Sequence, residues 1–260
     1  MTFRIRLFVI LLLAGFAGIL SFLLVDLSEL LAIMPVTEEA RMPFSPLLLK
    51  LLSLVQPTVL LSIAVFVGIA LAPKVGLFAP AFEAWARRDN FATALKPQII
   101  PGLIGGAVGG GAIILSWVLG KPFLPAEFVV KAVQMNRLLP VPTRLLYGGI
   151  TEELLLRWGV MTFMVWAAWR LFQKRRGQPR GVYIVIAIVI SSVIFGIGHL
   201  PLVVALGSNL TLAIVVYVVS ANSVFGLIAG YLYWRKGLEA AIVAHMLAHV
   251  VLVSAIVFEK

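Results

Sequence analysis

The stretch from Thr143 to Trp169, TRLLYGGITEELLLRWGVMTFMVWAAW, is long and apolar enough to form a membrane helix, yet it carries Glu152, Glu153 and Arg157. A charged side chain at the centre of a membrane helix costs roughly 2.5–3.5 kcal/mol on insertion scales. The three groups therefore need pairing, protonation or a water-filled cavity. This stretch predicts a membrane helix that carries a functional site.

The histidines interrupt apolar sequence in the same way. The chain has three, and all lie in apolar segments: His199 ends FGIGH, and HMLAH begins with His245 and ends with His249. A single buried histidine is usually a hydrogen-bonded core residue. Three of them together with the Glu152 region favour one shared intramembrane site for catalysis or ion handling.

The composition supports a membrane protein. Hydrophobic residues make up 62% of the chain and charged residues 12%, and the mean hydropathy is +1.07. We expect an all-α polytopic transmembrane bundle of about seven to eight spans in 260 residues. The net charge is +10, and the basic residues cluster beside apolar segments, where they orient the chain and contact anionic lipid. No nucleic-acid partner is therefore expected. The absence of cysteine excludes thiol nucleophiles, thiolate metal sites and disulfides.

Seven apolar runs predict spans: residues 8–25, 47–71, 99–119, 143–169, 182–200, 210–234 and 238–258. The first could be a cleaved signal peptide, but an uncleaved span is favoured. The seven runs divide the chain into an N-terminal transmembrane region of three spans, residues 1–142, and a four-span core, residues 143–260. Residues 81–96, with aromatic and basic side chains, are compatible with an interfacial amphipathic helix or an ordinary connecting loop. The glycines of residues 105–111 predict close helix packing rather than a nucleotide loop.

Basic residues predict a cytoplasmic N-terminus. With this orientation, thirteen of them fall on the cytoplasmic side: Arg4, Arg6, Lys74, Arg87, Arg88, Lys96, Arg170, Lys174, Arg175, Arg176, Arg180, Arg235 and Lys236. Seven fall on the opposite side: Arg41, Lys50, Lys121, Lys131, Arg137, Arg144 and Lys260.

Helical geometry separates the two adjacent glutamates. Glu153 and Arg157 are four residues apart and share a face, so they can neutralise one another. Glu152 points about 100° away, which leaves its carboxylate available as a general base. His245 and His249 are also four apart, and such a pair can chelate a metal or present two N–H donors to a developing oxyanion.

Three motifs in order resemble the CAAX prenyl protease and bacteriocin-processing family of intramembrane endopeptidases. They are Glu-Glu-x-x-x-Arg at residues 152–157, Phe-x-x-x-His at 195–199, and the His helix at 240–249, which follows a glycine-rich helix and a basic turn at 222–237. The resemblance covers about residues 145–255 and does not extend to the first 140.

The resemblance implies roles for these residues. Glu152 and His199 would activate the attacking water, and His245 with the residue four further on would stabilise the oxyanion or help to hold a metal. Glu153 and Arg157 would support the site. The resemblance also implies a divalent metal, zinc being the expected ion, held by Glu152, His199, His245 and His249. The family has Asn or Asp where this chain has His249, which keeps a donor but removes a carboxylate.

The resulting hypothesis is an integral membrane, multi-pass endopeptidase of the bacterial plasma membrane. It would hydrolyse a peptide bond of a membrane-anchored substrate, either prenylated or a small peptide, within the lipid bilayer. Two alternatives remain open from the sequence. One is a non-catalytic binding or immunity-type protein with the same fold, and the other is a proton- or cation-coupled transporter that uses the same Glu and His residues.

Overall fold

The protein is a bundle of helices, as the sequence predicts. The computed structural model describes residues 1–33 and 45–258, and in those ranges it contains helices and short connections without a strand. The charges Arg41 and Lys260, which were used to predict the orientation, lie outside the described residues. The predicted all-α class is confirmed.

The helices follow one another along the chain with short connections. They are α1 Phe3–Leu20, α2 Leu27–Ile33, α3 Pro46–Ser53, α4 Val55–Val75, α5 Pro80–Arg87, α6 Phe91–Gly120, α7 Ala126–Leu138, α8 Val141–Thr143, α9 Thr162–Phe172, α10 Gly181–Ile197, α11 Leu200–Ala205, α12 Leu212–Lys236 and α13 Leu238–Phe258. Short 3₁₀ turns follow α1 and α6, at Ser21–Leu24 and Lys121–Phe123.

Six helical segments within the described residues are long and apolar enough to cross a membrane: Phe3–Leu24, Leu47–Val75, Phe91–Phe123, Gly181–Ala205, Leu212–Lys236 and Leu238–Ala255. They extend most of the predicted spans by a few residues. The remaining predicted span, 143–169, coincides with a continuous helical segment over residues 141–172. Charged side chains interrupt the apolar sequence of this segment. The chain is therefore an integral membrane protein.

The helical segment over residues 141–172 has an unusual backbone. Between α8 and α9 it adopts π-helical geometry over Arg144–Glu152 and Leu154–Met161. In such turns each N–H bonds to the carbonyl five residues earlier, and they occur frequently at functional sites. The hydroxyl of Thr162 follows the same spacing, because it donates to the carbonyl of Arg157 over 3.1 Å. We call this segment the π-rich helix.

Helix α1 holds the π-rich helix through small residues and hydroxyl groups. Thr151 Oγ1 donates to the carbonyl of Gly15 over 2.7 Å, and Thr143 Oγ1 donates to the carbonyl of Ser21 over 2.9 Å. A Cβ atom at Gly18 would overlap Thr151, so only glycine allows this approach. The N-terminal span is thus a direct support of the π-rich helix.

Four of the five glycines of residues 105–111 in α6 serve packing, as predicted, and Gly111 does not. Gly106 and Gly110 face α13, where an added Cβ would press against residues such as Ala244. Gly105 and Gly109 face α12 at Leu232 and Phe225. Helix α6 therefore approaches both α12 and α13 closely. This packing fixes α13 and its two histidines in the centre of the bundle.

Residues 81–96 do not form one helix: they contain most of α5 and the first turns of α6, and their interfacial location stays a prediction. Helix α5 ends at Arg87 because Arg88 takes a left-handed conformation with φ 71°, and Asn90 begins α6 by accepting a hydrogen bond from the Thr93 N–H over 3.0 Å. Helix α5 is not an ordinary loop either. One carboxylate oxygen of Glu239 accepts the backbone N–H groups of residues 81 and 82 and docks α5 onto α13.

Candidate active site

A charged triad lies at the centre of the site. Glu153 accepts a hydrogen bond from His245 Nδ1 over 2.8 Å, and its other oxygen lies 3.2 Å from Arg157 Nε. All three side chains are buried. Arg157 also donates to the carbonyl of Gly226 over 3.1 Å and lies over the ring of Phe195. The predicted Glu153–Arg157 pair is present, and it has the further effect of orienting one histidine.

Glu152 lies beside this triad without joining the ion pair. Its Oε2 is 3.8 Å from His245 Nε2, which is too long for a hydrogen bond. Its side chain keeps 19% of its surface exposed, whereas that of Glu153 has none exposed. The adjacent glutamates therefore have different environments, with one carboxylate committed to Arg157 and the other open to a further partner.

His199 lies at the break between α10 and α11. Its Nδ1 is 2.9 Å from the carbonyl of Phe195, and because a carbonyl only accepts, Nδ1 carries the proton and Nε2 of the neutral ring keeps a free lone pair. The ring of Phe195 meets His199 and His245 edge-on, at centroid distances of 4.8 and 5.8 Å. His199 is thus joined to the triad through Phe195.

The depth of His199 differs from the sequence expectation. The predicted span 182–200 placed it close to the outer end. The observed span begins at Gly181, almost where predicted, but continues through α11 to Ala205. Pro201, the second residue of α11, is compatible with a helix start, so the chain resumes a helix after His199.

His249 completes the cluster from the next turn of α13. Its ring stacks on that of His245 with a centroid distance of 4.9 Å and an interplanar angle of 12°. Both ring nitrogens are buried and have no hydrogen-bond partner. Gly148 of the π-rich helix makes room for this ring, since a Cβ at that position would overlap His249 Nε2. A neutral imidazole always carries one N–H, so His249 holds an unused donor at the site.

Two residues near the site were not singled out from the sequence. The buried Arg144 was counted as a charge of the outer side, but it bonds the C-terminal end of α7 at Asn136 and Leu139 and acts electrostatically on His249. The phenol of Tyr147 lies close enough to Glu152 for the two to interact electrostatically. Arg144 could have been found from the sequence, because it is an arginine within an apolar stretch. Tyr147 could not, because its position near Glu152 depends on the π-helical turns.

The predicted metal ligands do not form a metal centre as they are placed. In the ranges 1–33 and 45–258 no three His, Asp or Glu side chains are arranged to hold one ion. His245 uses Nδ1 on Glu153, and its ring lies nearly parallel to that of His249, so the nitrogen lone pairs of the two rings do not converge. The zinc ion implied by the resemblance stays a prediction.

Comparison with known families agrees with the motifs. Residues 134–251 match the family model described as type II CAAX prenyl endopeptidase Rce1-like. The match begins in α7 and ends in α13, so it includes every residue of the candidate site. No curated protein and no solved structure matches the chain. The resemblance to CAAX proteases is thereby confirmed.

Proposed function

We propose that this chain, whose residues 134–251 belong to the Rce1-like family of type II CAAX prenyl endopeptidases, hydrolyses a peptide bond within the membrane. The observation that carries the proposal is the carboxylate of Glu152, unpaired and 3.8 Å from an imidazole of His245 that Glu153 orients. A general base and an oriented partner inside an apolar bundle are the parts that water-dependent amide hydrolysis needs.

Charge balance limits the protonation states of the site. Two carboxylates and one guanidinium leave one negative charge among Glu152, Glu153 and Arg157. An uncompensated buried charge is unfavourable, and the buried guanidinium of Arg144, which acts on the same cluster through His249, offsets it. Glu152, as the carboxylate outside the ion pair, is then the base.

In the proposed reaction each of these side chains has one role. Glu152 takes a proton from a water molecule while the water oxygen bonds to the amide carbon, and the second O–H of that water donates a hydrogen bond to His199 Nε2, which orients it. When the C–N bond breaks, Glu152 returns the proton to the leaving nitrogen. One water is consumed, and a carboxyl and an amino terminus are produced.

The negative charge of the tetrahedral intermediate needs donors. We propose that the unused N–H of His249 donates to the oxygen that carries this charge. A donor is worth more at a water-poor site than in water, because competing solvent is absent. Since His249 donates as an asparagine would, its presence at this position is compatible with the oxyanion role.

We propose a membrane-associated peptide or protein as the substrate, since the site lies among membrane helices. The family description points to prenylated C-termini, and small membrane peptides share the same apolar character. The excess of basic residues on one side supports a cytoplasmic N-terminus, and a bacterial plasma membrane is the proposed location.

The proposal is tested with purified protein in liposomes and a panel of membrane peptides that includes a farnesylated C-terminal peptide. Mass spectrometry in ¹⁸O-labelled water should find one labelled carboxyl terminus per cleavage, and Glu152→Gln should lower the rate at least about 10²-fold. Cleavage that is unchanged in the variant would overturn the mechanism. Peptide binding without cleavage by either protein would favour the non-catalytic alternative.

Metal dependence is tested on the same preparation. Since the donors do not converge, cleavage is expected to persist after treatment with a chelator, with less than one equivalent of zinc bound. Stoichiometric zinc whose removal abolishes cleavage would support the ion implied by the resemblance and would require the side chains to move together.

A further inference from the structure

A second polar cluster lies at the N-terminal end of α1, outside the region matched by the family. It surrounds a cleft of about 510 Å³ between α1 and the connection of α5 to α6, and its walls include Arg6, Val9, Ile10, Trp85, Arg88 and Asp89. None of these residues belongs to the candidate active site. The cleft therefore needs an explanation of its own.

The charged groups of this cleft do not satisfy one another. Arg6 is half-buried, and its Nε is fully buried without a hydrogen-bond partner. Among the described residues, no ion pair joins Asp89 to Arg6 or to Arg88. A buried donor without a partner is costly, so Arg6 favours an anionic ligand, and the exposed side chains of Arg88 and Asp89 place one charge of each sign beside it.

The apolar wall indicates that the ligand is an amphiphile. Val9 lies one turn beyond Arg6 along α1 and Leu13 one turn further, and both are exposed, at 37% and 61%. Because α1 is a candidate membrane span, this stripe leads from the cleft into the bilayer. Trp85 is 55% exposed at the rim, and tryptophan is enriched at the level of lipid headgroups.

We propose that this cleft binds a zwitterionic phospholipid with a primary ammonium group, namely phosphatidylethanolamine. Arg6 and Arg88 bind the phosphate, Asp89 binds the ammonium, and one acyl chain lies along Val9 and Leu13. Arginine matches phosphate oxygens through its fork of N–H donors. Phosphatidylglycerol would place no cation against Asp89, and the quaternary ammonium of phosphatidylcholine has no N–H to donate.

The test uses the full chain, delipidated in mild detergent and titrated with phospholipids that carry brominated acyl chains. Bromine quenches tryptophan on contact, and subtraction of the signal of Trp85→Phe isolates Trp85. Phosphatidylethanolamine should bind about tenfold more tightly than phosphatidylcholine or phosphatidylglycerol. Inorganic phosphate, which shares the anionic group but has no acyl chain, should not displace it.

Two variants separate the parts of the proposal. Arg6→Gln with Arg88→Gln should weaken binding about tenfold or more, whereas the matched loss of two exposed charges in Arg176→Gln with Arg180→Gln should leave it unchanged. Asp89→Asn should reverse the preference towards phosphatidylglycerol. Equal binding of all three lipids, a preference for phosphatidylglycerol that Asp89→Asn does not alter, or displacement by inorganic phosphate would overturn the assignment.

Discussion

Replacing Glu153 by glutamine removes one negative charge from the centre of the bundle while keeping the size of the side chain. In the wild-type protein this charge serves two partners, Arg157 Nε at 3.2 Å and His245 Nδ1 at 2.8 Å. After the change, Arg157 keeps the carbonyl of Gly226 and the ring of Phe195, but no carboxylate. The variant therefore leaves a buried guanidinium without its counterion.

The expected loss of stability is large. Removing one partner of a buried ion pair costs about 3–5 kcal/mol, because the remaining charge stays buried and uncompensated. For a chain of this size the loss corresponds to a decrease in Tm on the order of 10 °C. Glu152→Gln is expected to behave differently. Glu152 has no partner within hydrogen-bond distance, so the change breaks no bond and should not lower the Tm.

The assay measures two quantities on the same three variants. Thermal unfolding in detergent gives stability, and peptide cleavage in liposomes gives activity. Glu153→Gln should lower both, since His245 also loses the group that orients it, whereas Glu152→Gln should lower activity alone. Glu127→Gln is the matched control, because this glutamate is exposed and pairs only with Lys131 on the surface of α7.

One pattern of results would refute this reasoning. If Glu152→Gln and Glu153→Gln lowered the Tm equally, the two carboxylates would share Arg157, and the assignment of one to structure and the other to catalysis would fail. An unchanged Tm in Glu153→Gln would show that the buried ion pair does not stabilise the bundle.

Three further variants test the surroundings of the site. Gly148→Ala should lower cleavage about 10²-fold by displacing His249, whereas Gly111→Ala, whose Cβ meets no atom within 4 Å, should not; equal effects would contradict the packing argument. His249→Asn should keep most of the activity because the N–H donor is retained, and His249→Ala should lose about 10²-fold, so loss in both would exclude a simple donor role. Thr162→Val should lower stability by about 1–3 kcal/mol in thermal unfolding, because the phenol of Tyr233 loses its 2.8 Å partner; an unchanged Tm would show that the phenol finds another.

The fold was largely predictable from hydropathy, because the thickness of the bilayer core sets the length of each apolar segment. A bilayer core requires about 20 apolar residues per helix, and six of the seven predicted spans match long apolar helices. The ends were less predictable, since they depend on tertiary contacts. Helix α5 is one example: Glu239, distant in sequence, caps its first turn, and residue spacing carries no sign of this bond.

The site was predictable where the argument depended only on local spacing. Glu153 and Arg157 are four residues apart and do pair, and Glu152 is left outside that pair. The bond from Glu153 to His245 could not be derived, because it joins two helices whose rotation depends on the whole bundle. The π-helical turns change which residues share a face, so an α-helical projection does not place Tyr147 near Glu152.

The contacts of α1 link the site to residues outside the range that matches the family. The hydroxyl of Thr151 bonds to a carbonyl of α1, and that of Thr143 bonds to a carbonyl of the 3₁₀ turn that follows α1. Gly148, on the same π-rich helix as the two threonines, determines the room available to His249. A shift of the π-rich helix along α1 would therefore move Glu152 and the wall behind His249 together. Catalytic geometry tolerates shifts of only a fraction of an ångström, so the N-terminal span is needed to position the site as well as to anchor the chain.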